Sequence, residues 1–223
     1  MTGDDKLLIQ LAVLGGTGQE GSGLAYRWAH AGYDVIIGSR QQEKADRIAA
    51  ELNDLLGADA VRGMDNLSAA HTADIVVLTV PYAAHRATLE TVYEAVQGKI
   101  LVDVTVPLNP PYVSTVHLPE GRSAAEEAQW FLGDGVRVVS AFQNISAVHL
   151  KDLQRPIDCD VLVCGDDDAA KQHVMELVQA AGMRGIDAGP LANGLVAESL
   201  TPVLIAINKR YGVNNSGIRI TGV

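Results

Sequence analysis

One short segment constrains the fold more than any other. The apolar run Ile9 to Leu14 stops at Gly15-Gly16-Thr17-Gly18-Gln19-Glu20-Gly21, and a helix-like stretch follows at once with Ser22-Gly23-Leu24-Ala25-Tyr26. Residues 16 to 21 fit the spacing G-x-G-x-x-G. With 22 glycines in 223 residues, that spacing alone arises by chance. Its place between a strand and a helix is what gives it meaning. The glycines allow a tight turn, a close approach of backbone to a pyrophosphate, and close packing of helix on strand. The helix N-terminus then offers free N–H groups and the positive end of its dipole to phosphate. The plainer alternative is a βα turn with no ligand.

The rest of the chain repeats the same alternation. Val35 to Ile37 leads into a stretch of helix formers through Leu56, and Ile75 to Val80, Ile100 to Val104 and Val136 to Ala141 read as further buried strands. Their hydrophobicity is continuous rather than alternating, which predicts a parallel sheet covered on both faces. The expected fold is therefore α/β: a Rossmann-type, doubly wound, mostly parallel sheet over residues 1–150. A smaller C-terminal α/β portion, residues 151–223, is expected to add a strand at Val161 to Cys164, a helix at Ala169 to Ala181 and a final helix before Tyr211. Within the last helix, Thr201-Pro202 reads either as an N-cap with proline at the first helical position or as a proline inside one longer helix from about Leu195. Leu200, Val203, Leu204 and Ile207 are expected in the core under both readings.

The second strand bears on which dinucleotide is bound. An NAD site places Asp or Glu about 20 residues beyond the glycine turn to hold the ribose 2′-hydroxyl. This chain has Gly38-Ser39-Arg40 there, with Lys44 one turn on. A hydroxyl, a guanidinium and an ammonium suit a 2′-phosphate instead. NADP is the expected cofactor, with Ser39, Arg40 and Lys44 on its phosphate; the alternative is a solvated helix start.

Charge and cysteine usage narrow the setting. Seventeen basic and 27 acidic residues give −10, which argues against nucleic acid and anionic membrane surfaces as partners. No apolar run approaches the roughly 20 residues of a membrane span. Two cysteines, 159 and 164, fit a reducing compartment and core filling, and the acidic start MTGDDK is unlike a signal peptide. A cytoplasmic protein is expected. The charge is uneven, since residues 201–223 hold Lys209, Arg210 and Arg219 with no acid. These, with Arg40, Lys44 and Arg47, are candidates to border one anion-binding cleft.

No catalytic acid or base stands out. The strand ends Thr79-Val80-Pro81, Thr105-Val106-Pro107 and Phe142-Gln143-Asn144 are apolar or neutral, and no tyrosine has lysine four residues later. The six histidines lack metal-ligand spacing and read as exposed or capping residues. Asp166-Asp167-Asp168 reads as a helix start, with the acids at the positive end of the dipole, rather than as a metal site. No metal is expected. A reductase without such groups is coherent when its partner accepts hydride directly, as a flavin-like ring does.

Three segments carry a family resemblance: GGTGQEGSGLAYRWAHAGYDVIIGSRQQEKA, CGDDDAAKQHVMELV and DAGPLANGLVAESLTP. Together they resemble the F420-dependent NADP oxidoreductases. The resemblance runs over nearly the whole chain and is loosest from Thr105 to Arg122. It implies hydride transfer between NADP(H) and the deazaflavin coenzyme F420. It further implies NADP contacts at Gly16, Thr17, Gly18, Gln19, Glu20, Ser39, Arg40 and Lys44, with nicotinamide-side contacts at Val80, Val106 and Ala147. The acceptor is expected near Gln143, Ser199 and Thr201, and a homodimer is implied. Gln143 stands where archaeal members carry His, and Gly194-Leu195-Val196 lacks the family's Arg. Both departures fall on the acceptor side, so another acceptor (a flavin, metal chelate or imine) stays open, as does a non-catalytic NADPH-sensing module.

Overall fold

The alternation of apolar runs and amphipathic stretches builds a single eight-stranded sheet in the order β3-β2-β1-β4-β5-β6-β7-β8. The computed structural model describes residues 9–120 and 122–223; the start Met1 to Lys6, on which the signal-peptide reading rests, lies outside the described residues. The strands are β1 (Gln10–Leu14), β2 (Asp34–Ser39), β3 (Val61–Asp65), β4 (Ile75–Leu78), β5 (Ile100–Asp103), β6 (Arg137–Ser140), β7 (Asp160–Gly165) and β8 (Arg184–Asp187). Neighbours run parallel except β6 and β7, which pair antiparallel through Val139 with Gly165 and Ser140 with Cys164. Residues 151–223 thus extend the same sheet.

Seven α-helices connect and cover it among the described residues: α1 (Gln19–His30), α2 (Gln42–Leu56), α3 (Asn66–Thr72), α4 (Tyr82–Val92), α5 (Ala124–Leu132), α6 (Asp168–Ala180) and α7 (Gly194–Tyr211). Successive strand residues point to opposite faces, so the core divides in two. Leu11, Val13, Val35, Ile37, Val77 and Val102 pack on one face with Leu24 and Trp28 of α1 and Val174 of α6. Ala12, Leu14, Ile36, Val76, Leu78 and Leu101 pack on the other with Leu89 of α4 and Ala128 of α5.

The two parts of the chain are tied by polar bonds as well. Trp28 Nε1 donates to the Leu177 carbonyl at 2.9 Å, and the buried Arg27 donates to the carbonyls of Leu150, Ala181, His149 and Asp152. Cys159 and Cys164 are free and buried. At the acidic triplet, Asp167 accepts from Ala170 N at 2.7 Å as the N-cap of α6, while Asp166 accepts from Leu191 N.

Helix α7 differs from expectation on two counts. It is one continuous helix with Pro202 inside it, so Thr201 does not begin a helix. Its buried residues are Gly194, Ala197, Glu198, Pro202 and Leu204, whereas Val203 and Ile207 are 44% and 37% exposed. The helix turns its Ala197–Glu198–Leu204 side onto α5 and β7, so of the four residues expected in the core only Leu204 is buried. By length and composition the stretch Leu191–Tyr211 could cross a membrane, a property its single Glu and scattered Asn hide from a search for unbroken apolar runs.

Candidate functional site

A cleft of about 800 Å³ runs across the carboxyl ends of the strands, from β2 past the switch in strand order between β1 and β4 to β6. That is where ligands collect in open α/β sheets. The glycine turn forms its floor. Gly15 sits at φ +73, where side chains are strained, and a Cβ on Gly16 would meet the Val13 carbonyl at 2.6 Å. A Cβ on Gly21 would collide with Thr79 Oγ1 and Gly16 Cα. Gly18 is the exposed N-cap of α1, and no side chain caps its amides. The turn therefore presents bare backbone to the cleft, as close approach of a phosphate requires.

At the β2 end, Ser39 is buried and Arg40 and Lys44 are exposed; neither cation has a side-chain partner among the described residues. Ser39 Oγ accepts from Gln41 N, which shapes the corner leading into α2. At the other end stand Val80, Pro81, Val106, Gln143, Ile145 and Thr201.

Three buried side-chain oxygens without a partner, Glu20 Oε1, Asn66 Oδ1 and Gln143 Oε1, all belong to residues lining this cleft. Buried polar atoms are normally satisfied, so this concentration marks where a polar ligand fits. Gln143 follows Phe142, held at φ +72, and its Nε2 donates to the Asp103 carbonyl at 2.7 Å and to Ser140 Oγ at 2.8 Å.

Of the residues expected to bind NADP or the acceptor, Thr17, Gly18, Gln19, Glu20, Ser39, Arg40, Lys44, Val80, Val106, Gln143 and Thr201 line the cleft. Gly16, Ala147 and Ser199 are not among its lining residues. Gly16 packs beneath the turn, and Ala147 starts a 3-10 turn that closes at His149. The C-terminal cations stay outside it too. Arg219 is bound to Asp158 at 2.8 Å and Asp160 at 2.9 Å, and Lys209 reaches Ser114 Oγ. Among the described residues, Arg40 and Lys44 are the cations that line the cleft, while Arg47 pairs with Glu51.

The expectation that every histidine is exposed or capping fails at His85. Its Nε2 lies 2.7 Å from Asp103 Oδ2, with both side chains buried. Asp103 also accepts from Thr105 N at 2.9 Å, and so braces the β5 end of the cleft. Burial alone would push the imidazole pKa down, but the Asp103 charge and hydrogen bond raise it on balance. Close by, the buried Glu198 accepts from the N–H groups of Ala124 and Ala125, the first residues of α5. Burial lifts its carboxyl to about 8, against these hydrogen bonds. The signal for His85 was present in the sequence: it shares helical spacing with Leu89 and Val92, the buried face of α4.

Residues 10–107 match the family model for coenzyme F420-dependent NADP oxidoreductases. The chain is 42% identical over 224 residues to the F420-dependent NADP reductase of Methanothermobacter thermautotrophicus, covering 97% of each. The chain belongs to the F420-dependent NADP reductases. The enzyme of that name from Methanothermobacter marburgensis is 45% identical over 223 residues, or 96% of this chain and 99% of the other. A crystal structure from Arthrobacter sp. FB24, ascribed to an F420-dependent NADP-reductase, superposes with a TM-score of 0.80 at 30% identity over 96% of this chain and all of that one. The chain thus matches these F420-dependent NADP reductases over nearly their whole length.

Proposed function

We propose that this protein is an NADP-dependent oxidoreductase that moves a hydride between NADP(H) and coenzyme F420. The observation that carries the proposal is membership of the F420-dependent NADP reductases, matched over nearly their whole length, joined to a cleft whose free cations sit where an NAD site would hold a carboxylate. When bound, the nicotinamide gives or takes the hydride and the deazaflavin ring is its counterpart.

The chain's own residues bind and orient. Arg40 and Lys44 hold the 2′-phosphate with the Ser39 hydroxyl, and the bare amides at the start of α1 take the pyrophosphate. Val80, Pro81 and Val106 wall the nicotinamide and keep water from its face. Gln143, locked from below by Asp103 and Ser140, offers its free Oε1 as an acceptor to the bound rings. Thr201 fixes the Gln143 backbone by donating to its carbonyl. Catalysis rests on holding two rings in contact, so no acid or base need take part. Two buried, unpaired thiols support a reducing cytoplasm. The exposed row Val196, Val203 and Ile207 on α7 supports a homodimer.

The test is steady-state reduction of F420, free flavin and a cyclic imine with NADPH or NADH under anaerobic conditions. NADPH-dependent reduction of F420 well above the other pairs supports the assignment. Reduction of the flavin or imine alone would replace it, and tight NADPH binding without turnover would favour a sensor.

A further inference from the structure

We infer that Glu20 sets the balance between the oxidised and reduced cofactor, by placing a carboxyl that can ionise beside the nicotinamide. The inference rests on the cofactor assignment above and goes beyond it in naming one residue that distinguishes NADP⁺ from NADPH.

Glu20 lies in the glycine turn, but its direction separates it from the phosphate-binding backbone. It is the second residue of α1 and shares a helical face with Gly23 and Arg27, three and seven residues on. A Cβ on Gly23 would meet Leu150 Cβ at 2.5 Å, and Arg27 donates to the carbonyls of His149 and Leu150. That face therefore looks toward His149 and Leu150, which follow Gln143 and Ile145 of the cleft wall. Glu20 lines the same cleft as Val80, Val106 and Gln143, and its Oε1 is enclosed without a hydrogen-bond partner.

Among the described residues, no cation pairs with this carboxyl. On its own helix face the cation is Arg27, committed to four carbonyls. From the facing segment come His149 and Asp152, whose carbonyls engage Arg27, and the neutral Gln143 and Ile145. The strand ends across the cleft bring Thr79, Val80 and Pro81, and α7 brings Thr201. Burial raises the carboxyl to about 8. In its neutral form Glu20 is a hydrogen-bond donor for a carbonyl such as a carboxamide. In its ionised form it is a lone negative charge that favours the cationic ring of NADP⁺ over the neutral ring of NADPH.

The consequence is a linkage between proton and cofactor. The cation lowers the Glu20 pKa in the NADP⁺ complex and the neutral ring does not. The ratio Kd(NADP⁺)/Kd(NADPH) should then fall as pH rises through that interval, by about tenfold for each unit separating the two complexes. The 2′-phosphate titrates in both cofactors and cancels in the ratio.

The experiment is titration of both cofactors by calorimetry from pH 6 to 9, for the native protein and for Glu20→Gln, which keeps the neutral shape and cannot ionise. A ratio that falls about tenfold in the native protein and stays level in Glu20→Gln supports the inference. A level ratio in the native protein, or the same fall in both, overturns it while leaving the cofactor site intact. Failure of the native protein to bind either cofactor would overturn it together with the NADP assignment.

Discussion

Thr201 Oγ1 donates a 2.6 Å hydrogen bond to the backbone carbonyl of Gln143, 58 residues earlier. One turn before it on α7, Glu198 accepts from two backbone amides at the start of α5. Two residues of the segment Glu198-Ser199-Leu200-Thr201-Pro202 thus fasten α7 onto both the cleft and a neighbouring helix. The segment acts as a clasp, and of its two expected acceptor contacts Thr201 lines the cleft and Ser199 does not.

Removing that clasp should be costly. Glu198→Ala leaves the N–H groups of Ala124 and Ala125 without acceptors in a buried site, at about 1–3 kcal/mol for each unsatisfied group. Urea unfolding should show a midpoint shifted down by a corresponding amount with an unchanged slope. A loss below about 0.5 kcal/mol would mean that water replaces the carboxylate at no cost.

Stability without ligand should fall as pH rises from 6 to 9. The carboxyls of Glu20 and Glu198 are both pushed up to about 8, first of all by burial. An acid whose folded pKa exceeds its unfolded value of about 4.3 holds its proton longer when folded, so stability drops between the two values. His85 has the same sign: Asp103 raises it against the pull of burial, and its contribution is present below the ordinary imidazole value and lost as pH passes the folded one. Thermal melts of the native protein should show a lower midpoint at pH 9 than at pH 6. Glu198→Gln and His85→Gln should each flatten the slope; parallel slopes in all three proteins would contradict these assignments.

Arg40 should discriminate between cofactors without holding the fold. It is exposed and has no side-chain partner among the described residues, so Arg40→Ala should leave the unfolding free energy within about 0.5 kcal/mol of the parent. A hydrogen bond to a charged group is worth about 1.5–3 kcal/mol, which predicts NADPH weakened roughly 10- to 100-fold and NADH far less. Fluorescence titration with both cofactors checks this. Equal weakening of the two would remove Arg40 from the 2′-phosphate.

The turn from β1 to α1 was legible because its constraints are local. Glycines, apolar strand and helix start all lie within the 18 residues from Ile9 to Tyr26, and the Asp167 cap is as local. The sheet's outer strands were not. β3 (VRGMD) and β8 (RGID) are edge strands, half in solvent, and lack the apolar run that marks β1 or β4. The antiparallel entry of β7 depends on where a long connection returns, which no local pattern records. In the cleft, Ser39, Arg40 and Lys44 follow from one turn and one strand. The His85–Asp103 pair joins residues 18 apart through packing of α4 on β5, and Glu198 reaches α5 across 74 residues. Arg219 misled because a charge count sees a cation but not the Asp158 and Asp160 that neutralise it.

Direct hydride transfer between the two coenzymes is tested most directly with NADPH deuterated at both C4 positions, reacted with F420 in ordinary water. The label should appear carbon-bound in the reduced deazaflavin, one deuterium per cofactor oxidised. Reduced deazaflavin free of label, with its hydrogen drawn from solvent, would contradict the account.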